Sequence, residues 1–306
     1  MQTQSEKTPG AKQTETVRRS VYGNYGTGEI EEADAILKSV APAKSSLGLQ
    51  ASLDLAIARC FLYRALAQAF EEPSEESWRW FCQNETRQVI SFATTAFREH
   101  TRTELVSGEL VSQFKPGLFE NFQSDYVSAF GHAARGPCPI NEIEYGDLKA
   151  DPLFQPHRLA DLGAFYRAFG LELSADAGER QDHLCLELEF MSVLAAKEAY
   201  AIENQIEEEQ LAVCLDAQKK FLREHLGRWT PAFARRLAGS VGDGPLAALA
   251  EFTRQFIETD CKWVGVKSGS EDLFLRPVDE NEESLCASCG ITNLPPGANP
   301  GTESGA

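Results

Sequence analysis

No run in this 306-residue chain stays apolar for long enough to cross a bilayer, so no membrane-inserted segment is expected. Basic residues are the minority: 29 Lys and Arg stand against 46 Asp and Glu, a formal charge of −17. An acidic surface repels phosphate backbones, which argues against nucleic-acid binding and favours basic partners. Histidines are five and scattered, a thin supply for a histidine-based metal centre. No glycine-rich phosphate loop, dinucleotide fingerprint or nucleophile elbow occurs, so nothing in the sequence calls for catalysis or a cofactor. An export signal is also missing. Arg18-Arg19 sits within Val17-Arg18-Arg19-Ser20-Val21-Tyr22, but Gly23-Asn24-Tyr25-Gly26-Thr27-Gly28 follows. The acidic stretch Glu29-Ile30-Glu31-Glu32 comes next, and neither can form the apolar core that a signal needs. The expectation is a cytoplasmic protein whose eight cysteines are free thiols rather than a disulfide framework.

What the chain does have is helical periodicity between two polar ends. Residues 1–48 and 263–306 read as an N-terminal tail and an extended or disordered C-terminal tail, with 49–262 as one helical domain. Ser52 is the expected cap of a first helix, apolar over most of its girth through Leu53, Leu55, Ile57, Cys60, Phe61, Leu62, Leu66 and Phe70. Pro73-Ser74-Glu75-Glu76 opens a second, with Trp78, Phe81, Cys82, Val89, Phe92 and Ala96 as its stripe. Phe119, Phe122, Tyr126 and Phe130 share a third face, which Gly131 ends. Residues 131–153, rich in Gly and Pro, form a long loop of the kind that is often functional. Helices are then expected over 157–169, 182–203 (capped by Asp182) and 206–226 (with Leu211, Leu215, Phe221 and Leu222 inward, stopped by Gly227). A short one opened by Pro231 and a last one over 245–260 complete the series. No strand-period run appears, so the fold class is all-α, a helical bundle.

Two polar clusters invite chemistry. His183 and Glu187 lie one turn apart, which suits a metal pair or, more plainly, a surface His–Glu contact at a capped helix start. Cys286-Ala287-Ser288-Cys289 has the spacing of a zinc or redox pair, but no second CxxC accompanies it. The alternative to a binding protein is thus a metal-binding or redox-active helical protein using Cys286 and Cys289 or the His183/Glu187 pair.

Three blocks carry a resemblance. They are Glu179-x-x-Asp182-His183-Leu184 with Glu187-Leu188-Glu189-Phe190-Met191; Tyr126-x-x-x-Phe130-Gly131 with Glu142-x-Glu144-Tyr145-Gly146; and the run from Leu159 to Gly170. In that order and spacing, over about residues 50–260, the chain resembles the TorD/DmsD/NarJ-type chaperones of molybdenum oxidoreductases. Its third block is most similar to those serving dimethyl sulfide or ethylbenzene dehydrogenases and selenate or chlorate reductases. Arg180 and Gln181 stand where the family usually has proline, and Asn141 where it often has an aromatic. The resemblance implies a non-enzymatic chaperone, a monomer or domain-swapped homodimer without a cofactor of its own. Its partner would be the apo catalytic subunit of a molybdopterin (bis-MGD) oxidoreductase. It would bind that subunit's twin-arginine or related N-terminal leader, aid cofactor insertion and delay export. The expected leader-binding residues are Phe122, Tyr126, Phe130, Pro139, Glu142, Glu144, Tyr145, Glu179, Asp182, His183 and Glu187, with Asp147 also in the acidic loop. The helix bearing the aromatics and the helix start at Asp182 should face each other across a groove.

Overall fold

The computed structural model describes residues 47–131, 136–146, 154–173 and 179–276. Most of both polar ends, Asp147, Cys286 and Cys289 lie outside the described residues, and so do the expectations that concern them. Among the described residues there are ten α-helices, two 3₁₀ turns and no sheet, an all-α architecture.

Helix α1 (Leu47–Ala69) and helix α7 (Leu184–Glu203) form the central pair and pack along one another. Every residue from Leu184 to Ser192 is buried, so the start of α7 is enclosed on all sides, as an interior helix must be. Helix α2 (Glu75–Cys82) begins at the Ser74 capping box and buries Trp78 and Phe81. Helix α3 (Asn84–Thr101) lies on α1, followed by the short α4 (Gly108–Gln113) and α5 (Phe119–Phe130). Helix α6 (Phe154–Ala168) precedes α7 in sequence. Helix α8 (Glu208–Glu224) packs on α7 and on α9 (Leu226–Ser240), and α9 on α10 (Pro245–Trp263). The core is rich in edge-on aromatic contacts, such as Tyr63 on Phe256 and Phe190 on Phe221.

Several sequence expectations need correction. Helix α1 starts five residues before Ser52, which lies within it. The second stripe is two helices, broken at an extended Gln83. The break shifts the phase by one residue, so α3 buries Ile90, Ala93 and Phe97 while Phe92 faces solvent. Helix α8 buries Cys214, Ala217, Phe221 and Leu222, leaving Leu215 exposed. His225, not Gly227, separates α8 from α9.

Pro231 does not open a helix; it sits inside α9. Without an N–H it leaves the carbonyl four residues back, on Gly227, without its helical donor. The Gly269 N–H takes the vacant place at 2.9 Å. Gly269 belongs to an extended arm, 264–276, that runs from the end of α10 back across α9. A Cβ at 269 would collide with the Arg228 carbonyl, so the crossing requires glycine there.

The interior also holds a charge cluster with no signal in the periodicity. Arg59 of α1 donates from Nε and Nη2 to the Asp260 carboxylate of α10, at 2.7 and 2.9 Å, and from Nη1 to Glu198 of α7 at 2.9 Å. Tyr63 donates to Asp260 at 2.5 Å, and Gln218 of α8 to Glu198 at 2.8 Å. Every member is buried, and the five residues cross-brace four helices. A buried ion pair of this kind holds geometry more than it adds net stability.

Candidate functional site

Helix α5 presents two faces. Phe122 and Ala129 point into the core, where Phe122 stacks on Trp78 with ring centroids 4.9 Å apart. Gln123, Tyr126, Val127 and Phe130, spaced three, four and seven apart, line a groove of about 480 Å3. The Tyr126 hydroxyl donates to the Phe70 carbonyl at 3.0 Å, and its ring meets Phe130 edge-on at 4.6 Å, which fixes both rings. Glu72 and Pro73, just past α1, also line it, as do Ile140, Asn141, Glu179, Arg180 and His183 from the proline loop and the approach to α7. The aromatic helix and the segment leading into α7 therefore do face each other across a concavity.

The lining residues from Ile140 to His183 are held by a bracket between the proline loop and the start of α7. Asn141 and His183 form an isolated antiparallel bridge, with Glu142 N–H donating to the Asp182 carbonyl at 2.9 Å and Leu184 N–H to the Ile140 carbonyl at 3.0 Å. The Asp182 carboxylate is fully buried. It accepts from the Ile143 N–H at 3.1 Å, from the Asn141 amide at 3.3 Å and from Arg180 at 2.6 and 3.0 Å. Asp182 is thus an internal tie and not the cap of α7. That cap is His183, whose Nδ1 accepts the Cys185 N–H at 3.3 Å. The arrangement fixes the tautomer: with Nδ1 accepting, the neutral ring carries its proton on Nε2, at the groove. Burial, countered in part by Asp182, lowers the His183 pKa to about 4, so the ring is neutral near pH 7.

Other expected site residues lie below the groove. Glu142 is sealed, with His225 Nδ1 at 2.8 Å, Arg228 at 3.0 Å and Arg158 at 3.5 Å. Burial pushes its pKa up, but the hydrogen bond and charge of His225 and the two guanidinium groups outweigh it and hold the carboxyl below its usual range. Tyr145 is buried and donates to the carbonyl of the buried Pro139 at 2.8 Å. Glu144 is half-buried, 3.6 Å from Arg180. Its carbonyl accepts the Arg276 N–H at 2.9 Å, so the extended arm clasps the back of the loop. Phe122, Pro139, Glu142, Tyr145, Asp182 and Glu187 are therefore buried and do not line the groove, whereas Tyr126, Phe130, Glu179 and His183 do.

His183 and Glu187 do not form the surface pair that their spacing suggests. Glu187 is fully buried and its Oε2 accepts from Trp229 Nε1 at 3.1 Å, while Oε1 has no hydrogen-bond partner. Burial, reinforced by the nearby charge of Glu142, raises its pKa well above the usual range. Among the described residues no group of three or more His, Cys, Asp or Glu gathers as a metal-ligand set. No helix among them is long and apolar enough to cross a membrane.

Sequence reasoning missed Glu72, Pro73, Gln123, Val127 and Ile140. Gln123 and Val127 were within reach, since they follow the groove phase of α5 through Tyr126 and Phe130.

The family model for the nitrate reductase delta subunit matches residues 93–235. A perchlorate reductase assembly chaperone of Dechloromonas aromatica is 28% identical over 211 residues, 67% of this chain and 89% of the relative. A selenate reductase assembly chaperone of Thauera selenatis is 34% identical over 175 residues, 57% of this chain and 74% of the relative. The chain belongs to the TorD-like family of molybdoenzyme assembly chaperones. A chaperone protein TorD of Vibrio cholerae is 36% identical over 94 residues, though these are 40% of its length. These relatives of the TorD-like chain are named as chaperones and not as enzymes.

Proposed function

We propose that this protein holds the apo catalytic subunit of a molybdopterin (bis-MGD) oxidoreductase in the cytoplasm, and that the groove beside α5 receives that subunit's N-terminal leader. The observation that carries the reading is the pairing of an aromatic floor, Tyr126 and Phe130, with exposed carboxylates, Glu72 and Glu179, in one groove lining. A leader of the twin-arginine type offers the complement: a basic stretch followed by an apolar one. The rings cover the apolar part and the carboxylates meet the basic part. Neither Glu72 nor Glu179 has an ion-pair partner among the described residues, so neither must break a bond to bind. A volume of about 480 Å3 takes a few side chains, not a whole helix, so the groove reads only part of the leader. Binding the unfinished subunit and not the finished one shifts its folding equilibrium towards a state still open to cofactor insertion, and delays export meanwhile.

The test is fluorescence anisotropy of a labelled peptide, an Arg-Arg pair followed by an apolar stretch, titrated with the full chain. Removing a buried aromatic anchor costs about 2 kcal/mol or more, so Tyr126→Ala should weaken binding by roughly thirtyfold. Glu179→Gln should weaken it less, and mostly at low salt. Unchanged affinity in both variants would remove the groove as the leader site.

A further inference from the structure

The groove's lining carries exposed carboxylates, and this chain contains a short segment of the opposite character outside the described residues. Residues 1–28 hold Lys7, Lys12, Arg18 and Arg19 against Glu6 and Glu15, a net positive stretch in a chain of charge −17. Within it, Val17-Arg18-Arg19-Ser20-Val21-Tyr22 sets an arginine pair among apolar and aromatic residues. It has the chemistry that the groove selects: a basic pair flanked by apolar side chains.

We propose that residues 17–22 of this same chain occupy the groove when no client is present, with Arg18 and Arg19 against Glu72 and Glu179 and a neighbouring apolar side chain over Tyr126 and Phe130. The inference rests on the groove being a site for basic, apolar segments.

Charge is the first argument. Glu72 and Glu179 are exposed, line the same groove and have no ion-pair partner among the described residues. Among the described lining residues the one guanidinium, Arg180, is tied to Asp182 at 2.6 Å and lies 3.6 Å from Glu144. His183 is neutral near pH 7. The lining thus carries two negative charges free to meet a basic pair.

Reach is the second. Arg19 precedes Leu47, the first residue of α1, by 28 positions. A chain of that length spans at most about 90 Å. Helix α1 is about 34 Å long, and Glu72 lies three residues past its end. The tether therefore covers the distance with slack, and a tether of this kind gives an effective concentration on the order of 1 mM. A segment with an intrinsic dissociation constant on the order of 100 µM would then fill about nine-tenths of the grooves and make a client peptide bind about tenfold more weakly. Such occupancy covers the half-buried rings and the exposed carboxylates between clients, and yields to any leader that binds more tightly.

The experiment compares full-length wild type with full-length Arg18→Ala/Arg19→Ala, using the labelled Arg-Arg-plus-apolar peptide as probe. The variant should bind about tenfold more tightly, with unchanged circular dichroism. Unlabelled peptide of residues 14–28, added in trans at about 1 mM, should return the variant to wild-type affinity. In a Glu72→Gln/Glu179→Gln background the gain should shrink to less than twofold. Equal affinity of wild type and variant overturns self-occupancy, and so does a gain that persists undiminished without the two carboxylates. In the first case the groove assignment survives as long as the probe still binds and Tyr126→Ala still weakens it. Failure of the probe to bind either protein defeats that assignment and this inference with it.

Discussion

Replacing Asp182 by alanine tests whether the family's Asp-His motif is a contact surface or a structural tie. The carboxylate is fully buried and takes hydrogen bonds from Ile143 N–H, the Asn141 amide and Arg180. Alanine strands the buried Ile143 N–H, at about 1–3 kcal/mol. The Asn141 amide, at the groove, recovers water. Arg180 is partly exposed, so it too recovers water and loses only about 1 kcal/mol. Together the loss is roughly 3 kcal/mol, and for a urea dependence of about 3 kcal/mol per molar the unfolding midpoint drops by about 1 M. Asp182→Asn keeps an acceptor for Ile143 and should lose about half as much. Leader affinity should fall in Asp182→Ala because the loop bearing Ile140 and Asn141 is released from α7, and hydrogen exchange should rise at residues 140–146. A variant of unchanged midpoint and unchanged loop protection that nonetheless lost leader binding would refute the tie and make Asp182 a direct contact.

Other consequences follow from the buried charges. Burial raises the Glu187 pKa well above the ordinary carboxylate range: its contribution is full below that range and is lost as pH rises through the raised folded pKa. Glu187→Gln should therefore be more stable than wild type in urea unfolding at pH 8, with the difference vanishing near pH 4. His183 has the opposite sign, since its folded pKa is depressed from 6.5 to about 4. Its contribution is present above pH 6.5 and lost on acidification towards pH 4, so the acid limb of the stability curve should flatten in His183→Gln. Arg59→Leu leaves Asp260 and Glu198 buried without their cation and should cost about 3–5 kcal/mol; adding Glu198→Leu and Asp260→Leu should recover most of that. Gly269→Ala should free the 264–276 arm, read as faster proteolysis within it, while the unfolding midpoint changes little.

The helices were legible because their apolar spacing is set by tertiary burial, and α1, α5, α7 and α10 fall close to their expected spans. The break at Gln83 was not, because no glycine or proline marks it and the stripe resumes one residue out of phase, at Ile90 in place of Val89. Gly227 misled for a related reason. A glycine next to a helix end normally reads as its stop, but here it serves the close passage of α9 beneath Leu222 and Cys261. In the groove, Tyr126, Phe130, Glu179 and His183 could be read from the motif. The burial of Glu142, Asp182 and Glu187 could not, because carboxylates are surface residues by default. Only long-range partners such as His225, Ile143 N–H and Trp229 reveal them as internal. Arg59 escaped for the same reason, with its partners 139 and 201 residues away.

Hydrogen exchange by mass spectrometry on the full-length Arg18→Ala/Arg19→Ala variant, whose groove is not self-occupied, with and without a synthetic leader peptide, tests the groove most directly. Binding should slow exchange in 123–131, 140–146 and 179–183, and leave α8 as it was. Protection gained on α8 with none beside Tyr126 and Phe130 would contradict the account.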